Sequence, residues 1–143
     1  MTIKRSGSAV WAGGLKDGKG AVSTESGALS DKSYGFATRF ENEAGTNPEE
    51  LLGASHAGCF TMALSLVLGD AGLTADSLHT TAEVSLDKSE DGFEITAVHL
   101  TLEGRVPGTD EAKFRELAEK AKANCPLSKV LKAKITLEAS LVG

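Results

Sequence analysis

The chain has 143 residues, 41% hydrophobic and 24% charged, with 16 glycines and a formal net charge of -5. That length predicts one domain spanning 1–143, and that composition excludes a disordered or collagen-like chain. The acidic balance has the wrong sign for neutralising phosphates, so nucleic acid is not expected as a partner. Aromatic residues make up only 5%, which leaves the core to Leu, Val, Ile and Ala.

The N-terminus carries Lys4 and Arg5, but no apolar run follows them. No secretory signal is therefore read, and the chain is expected to be cytoplasmic. Short strands broken by glycine come next: Ser8 to Trp11, Gly20 to Ser26 and Gly35 to Phe40, with Gly13-Gly14, Asp17-Gly18 and Ser26-Gly27 as turns. At Asn47-Pro48-Glu49-Glu50 a helix starts, with Asn47 able to cap, Pro48 suited to the first helical position and Glu50 placed for a capping box.

From Leu51 to Gly69 no Asp, Glu, Lys or Arg occurs. A membrane span is rejected, because Ser55, His56, Thr61 and Ser65 interrupt the run and both flanks are acidic. The segment reads instead as a helix buried on nearly every side, about 30 Å long. One small subunit would struggle to wrap it.

Leu78 to Leu86 and Phe93 to Glu103 form a predicted hairpin around the polar turn Asp87–Gly92. Phe114, Leu117, Ala118 and Ala121 then repeat at helical spacing, predicting an amphipathic helix that begins near Thr109 or Asp110. A second helical start lies at Cys125-Pro126, and Ile135 to Leu141 closes the chain as a strand. Clustered strands and helices of this kind define an α+β fold.

Only two cysteines occur, Cys59 and Cys125. A disulfide scaffold is not expected in a chain large enough to fold without one, so the thiols are either packing or chemistry. Cys59 sits mid-helix, where a free cysteine ordinarily behaves as a small hydrophobe and burial raises its pKa. As a nucleophile it would need a nearby cation or base; His56, one turn earlier, and Arg39 are the candidates. Cys125 stands at a helix start, where unpaired amides favour an anion. A metal site from Cys59, Cys125 and His56, with His79 or His99 in reserve, has no supporting spacing.

Three segments carry a family resemblance: Tyr34-Gly-Phe-Ala-Thr-Arg-Phe40, Gly45-Thr-Asn-Pro-Glu-Glu-Leu-Leu-Gly-Ala-Ser-His-Ala-Gly-Cys-Phe60 and Ala123-Asn-Cys-Pro-Leu-Ser-Lys-Val-Leu131. Together they resemble the OsmC family, osmotically inducible thiol peroxidases related to the organic hydroperoxide resistance proteins. The resemblance implies antiparallel sheets wrapped around a long buried central helix in an intertwined homodimer. It also implies reduction of organic hydroperoxides with Cys59 as the peroxidatic and Cys125 as the resolving thiol. Arg39 and Glu49 match the family's activating pair, Glu50 being left mainly to cap the helix, although sequence alone allows the two glutamates to exchange roles. No metal or organic cofactor is implied, and an external dithiol would return the disulfide to thiols.

Ten residues of helix between Glu49 and Cys59 amount to about 15 Å of rise, so the activating pair is expected to act across a dimer. Two other readings stay open: a Cys/His hydrolase built on Cys59 and His56, and a dimeric module that binds an apolar ligand and has inert cysteines.

Overall fold

Glycine-punctuated runs at the N-terminus form strands in the computed structural model, which describes residues 1–143. The chain divides into two units, Met1–Leu51 and Leu52–Gly143. In the first, β1 (Gly7–Ala12), β2 (Lys19–Thr24) and β3 (Lys32–Tyr34) make an antiparallel sheet in the order β1-β2-β3. The register pairs Trp11 with Gly20 and Gly20 with Tyr34. A Cβ at Gly20 would lie 2.5 Å from the Trp11 ring and 2.6 Å from the Tyr34 ring. Glycine is thus what lets the two aromatics approach over the sheet, with ring centroids 5.5 Å apart.

The sequence predicts a strand over Gly35 to Phe40, and the structure corrects this. β3 stops at Tyr34, and Phe36–Phe40 forms a short helix, α1. The cause is local: Thr38 Oγ1 accepts the Gly35 N–H at 2.9 Å and donates to the Gly35 carbonyl at 3.0 Å. A side chain that satisfies the backbone in this way competes with a sheet ladder.

Helix α2 (Pro48–Asp70) begins in the first unit and continues into the second. Asn47 Oδ1 accepts the Glu50 N–H at 2.8 Å, the N-cap contact expected of Asn-Pro-Glu-Glu. By length and hydropathy α2 could cross a membrane, but its His56, Phe60, Leu64, Val67 and Leu68 face is buried. The expectation of burial on nearly every side is corrected for the single chain. Ala54, Ser55, Gly58, Met62, Ser65 and Leu66 recur at helical spacing on an exposed, uncharged face, with Met62 at 76% and Leu66 at 67% exposure.

In the second unit β4 (Ser77–Ser89) and β5 (Gly92–Arg105) form the long hairpin, and β6 (Lys134–Leu141) adds in parallel beside β5. Val98, Leu100 and Leu102 alternate inward along β5, the period-2 pattern of a half-buried strand. Helix α3 (Glu111–Asn124) starts at Asp110, whose side chain accepts the Lys113 N–H at 2.8 Å, and buries Phe114, Leu117, Ala118 and Ala121. The short helix α4 (Pro126–Val130) follows with Cys125 as its N-cap.

Phe114, which is fully buried, lies over Gly104, where an added Cβ would come within 2.5 Å of the ring. Gly104→Ala should therefore overpack the core and destabilise by about 1–3 kcal/mol. A lowered urea midpoint with unchanged m-value, at fixed protein concentration, checks this.

Candidate active site

The first unit positions a guanidinium. Arg39 falls in the last turn of α1 and Glu49 in the first turn of α2. Arg39 Nε donates to Glu49 Oε1 at 2.9 Å and Nη2 lies 2.8 Å from the same oxygen. The fork therefore closes on one oxygen, and Glu49 Oε2 is buried without a partner. Glu49 is nearly buried while the Arg39 side chain is 37% exposed. The pair thus anchors the guanidinium from its protein side.

Phe40 supports the same cation, its ring centroid 5.2 Å from Arg39 Cζ. A cavity of about 200 Å³ opens here, with Trp11, Leu15, Tyr34, Phe36, Arg39 and Phe40 among its walls. Between the two glutamates the geometry decides. Glu49 holds Arg39, whereas the Glu50 carboxylate accepts from Thr46 Oγ1 at 2.9 Å.

The second unit positions two thiols. Both are free, Cys59 partly buried on α2 and Cys125 wholly buried at the N-cap of α4. Cys125 Sγ donates to Cys59 Sγ at 3.1 Å. A disulfide closes at about 2.05 Å, so bond formation asks for an approach of only about 1 Å.

Burial pushes the Cys59 thiol up from its ordinary pKa and the adjacent Cys125 sulfur adds to the rise, while the Leu127 amide pulls it down. Cys125 stands at the helix start as the sequence predicts. Pro126 has no N–H to offer at this helix start, and the amide of Leu127 serves the sulfur of Cys59.

His56 is wholly buried one turn before Cys59, but it does not bond to it. Its Nε2 pairs with Ser128 Oγ at 2.9 Å, and Nδ1 has no partner. Sequence reasoning missed both Ser128 and the Leu127 amide. The available signal was positional, since Ser128 follows Cys125 at the same i, i+3 spacing that relates His56 to Cys59. His79 and His99 lie on β4 and β5, and no group of three or more His, Cys, Asp or Glu is arranged to hold a metal ion.

A helix-borne thiol paired with a thiol at a second helix start, on an α+β scaffold with two three-stranded sheets, defines a dithiol protein of mixed architecture. The profile of the OsmC-like protein family matches residues 40–140. The chain is 60% identical over 141 residues to Peroxiredoxin OsmC of Escherichia coli (strain K12), covering 99% of each sequence. It is 32% identical to the organic hydroperoxide resistance protein OhrB of Bacillus subtilis (strain 168), over 85% of this chain and 88% of that one. The crystal structure of OhrB from Bacillus subtilis superposes with a TM-score of 0.71, at 29% identity, across 96% of this chain and 98% of that one. The chain belongs to the OsmC-like family.

Burial lowers the His56 pKa from its ordinary value near 6.5. Below that pH the unfolded chain takes up a proton that the folded chain resists, so this residue makes stability fall as pH drops. A single titrating group can contribute a slope of at most about 1.4 kcal/mol per pH unit. His56→Gln should flatten the stability profile between pH 7.5 and 5, as read by urea unfolding at each pH; equal slopes in the two proteins would contradict this.

Proposed function

We propose that the chain is a cysteine-based peroxidase that reduces organic hydroperoxides to alcohols, with Cys59 as the peroxidatic and Cys125 as the resolving thiol. The observation that carries this reading is the 3.1 Å contact between two free sulfurs on separate helices. The relatives named peroxiredoxin and organic hydroperoxide resistance protein support the same chemistry.

Cys59 thiolate attacks one peroxide oxygen; the S–O bond forms, the O–O bond breaks, and the alkoxide takes a proton and leaves as the alcohol. The Cys59 sulfenic acid then condenses with Cys125, whose thiol proton leaves with the hydroxyl as water as the S–S bond forms. An external dithiol restores both thiols by two exchanges, being itself oxidised to a disulfide. No metal or organic cofactor enters these steps.

Arg39 is assigned to stabilising the thiolate and the leaving alkoxide, with Glu49 orienting its guanidinium. The apolar walls beside Arg39 suit the organic part of a hydroperoxide. The active form is proposed to be a cytoplasmic, two-fold homodimer of the domain 1–143, in which Arg39 and Glu49 of the partner subunit serve each Cys59. Two observations support this. Continuous helix puts about 15 Å of rise between Glu49 and Cys59, and the uncharged face with Met62 and Leu66 is uncovered in one chain. Against the hydrolase reading, His56 spends its Nε2 on Ser128 and does not meet Cys59.

Cys59→Ser should abolish turnover of cumene hydroperoxide with a dithiol donor. Cys125→Ser should still consume about one equivalent before stalling at sulfenic or sulfinic acid. Full activity in the Cys59→Ser protein would overturn the assignment.

A further inference from the structure

α2 and α4 meet through two rungs. One is Cys59 with Cys125; the other is His56 with Ser128, each residue three positions from its helix's cysteine. The chain order reverses between the helices, 56 before 59 but 128 after 125, so the rungs are parallel crossbars between antiparallel segments.

The sulfur rung changes during the proposed reaction, since the Cys59 sulfur gains and loses oxygen and the S–S bond forms and breaks. The imidazole–hydroxyl rung takes no part in that chemistry. We propose that His56 is a positioning residue for the resolving step: through Ser128 it fixes α4 so that Cys125 stays within reach of the Cys59 sulfenic acid.

α4 needs such a tie. At five residues it is too short to be stable by its own hydrogen bonds, and none of its residues is fully buried. Leu127 and Leu131 pack against the core, but apolar packing is non-directional and sets register loosely. A 2.9 Å hydrogen bond is directional, and it acts one turn from the sulfur whose placement matters.

The tie also has a cost that packing alone does not explain. His56 is 0% exposed and its Nδ1 has no partner, whereas an apolar side chain there would leave no polar atom unsatisfied. Either tautomer serves: Nε2 donates to the Ser128 hydroxyl or accepts from it.

This inference rests on the peroxidase reading, and its step balances as stated there: Cys59–SOH and Cys125–SH give the disulfide and water. Because α4 also carries the Leu127 amide to Cys59, loosening it should slow sulfenate formation slightly. Disulfide closure should slow much more, since ångström-scale misplacement of reacting atoms can cost up to about 100-fold.

The experiment compares the parent with His56→Leu, Ser128→Ala and His56→Gln, each as the full chain. The proteins are mixed with one equivalent of cumene hydroperoxide, and sulfenate (trapped with dimedone), sulfinate and the Cys59–Cys125 disulfide are followed by mass spectrometry. Ser128→Ala, the smaller excision, keeps the test open should His56→Leu fold poorly. In both, disulfide closure should slow about tenfold, with sulfenate formation within about threefold of the parent and sulfinate rising accordingly. His56→Gln, which keeps a side-chain N–H donor able to reach Ser128, should recover most of the closure rate.

Parent-like partitioning in His56→Leu or Ser128→Ala would overturn the proposal. So would an equal slowing of both steps, the signature of a merely structural role. If the parent itself formed neither sulfenate nor disulfide, the peroxidase reading would fail first and take this inference with it.

Discussion

A thiol embedded in an uncharged helix is protected from the ionisation that would make it reactive. Burial disfavours thiolate, and from Leu51 to Gly69 the helix that carries Cys59 contains no Asp, Glu, Lys or Arg. What surrounds Cys59 can be understood as a response to that constraint. The Leu127 amide offsets part of the desolvation from within the second unit. It is available because Leu127 lies in the first turn of α4, where an amide has no carbonyl within the helix to pair with. The same helix start therefore presents an amide and a second sulfur to one thiol.

An amide is a weak counterweight compared with a full positive charge held in a fixed orientation. Arg39 supplies such a charge in the first unit, anchored by Glu49 and flanked by the Phe40 ring. Its exposure of 37% is that of a group held in place yet free to act outward. The proposed dimer joins these parts: the uncharged face of α2 needs cover, and Cys59 needs a cation. An antiparallel pairing of two α2 helices would meet both needs, bringing the Glu49 end of one beside Cys59 of the other. Under two-fold symmetry the arrangement generates two equivalent sites.

Much of this was legible in the sequence, for identifiable reasons. The α3 core face, Phe114, Leu117, Ala118 and Ala121, follows from helical periodicity alone. Asn47-Pro48 marks the start of α2 through capping chemistry that is local and strong. Gly35 to Phe40 misleads because Phe and Thr favour strands, while the deciding hydrogen bonds between Gly35 and Thr38 depend on geometry that a propensity does not encode. Glu49 and Glu50 are equivalent by type and adjacent in sequence, so only the direction each takes from α2 separates the arginine anchor from the partner of Thr46. The His56–Ser128 contact spans 72 positions, and the matching spacing of each residue from its cysteine is a signal only once the two thiols are known to meet.

Subunit complementation can show whether the cation that activates Cys59 comes from the partner subunit, as proposed. Cys59→Ser and Arg39→Ala chains, each of low activity alone, would be differently tagged, refolded together and purified as heterodimers. One site in each heterodimer should then combine an intact Cys59 with an intact Arg39. Cumene hydroperoxide reduction should then return to about half the parent rate per dimer. Verified heterodimers no more active than their parents, or a monomer fully active at low concentration, would contradict the proposal.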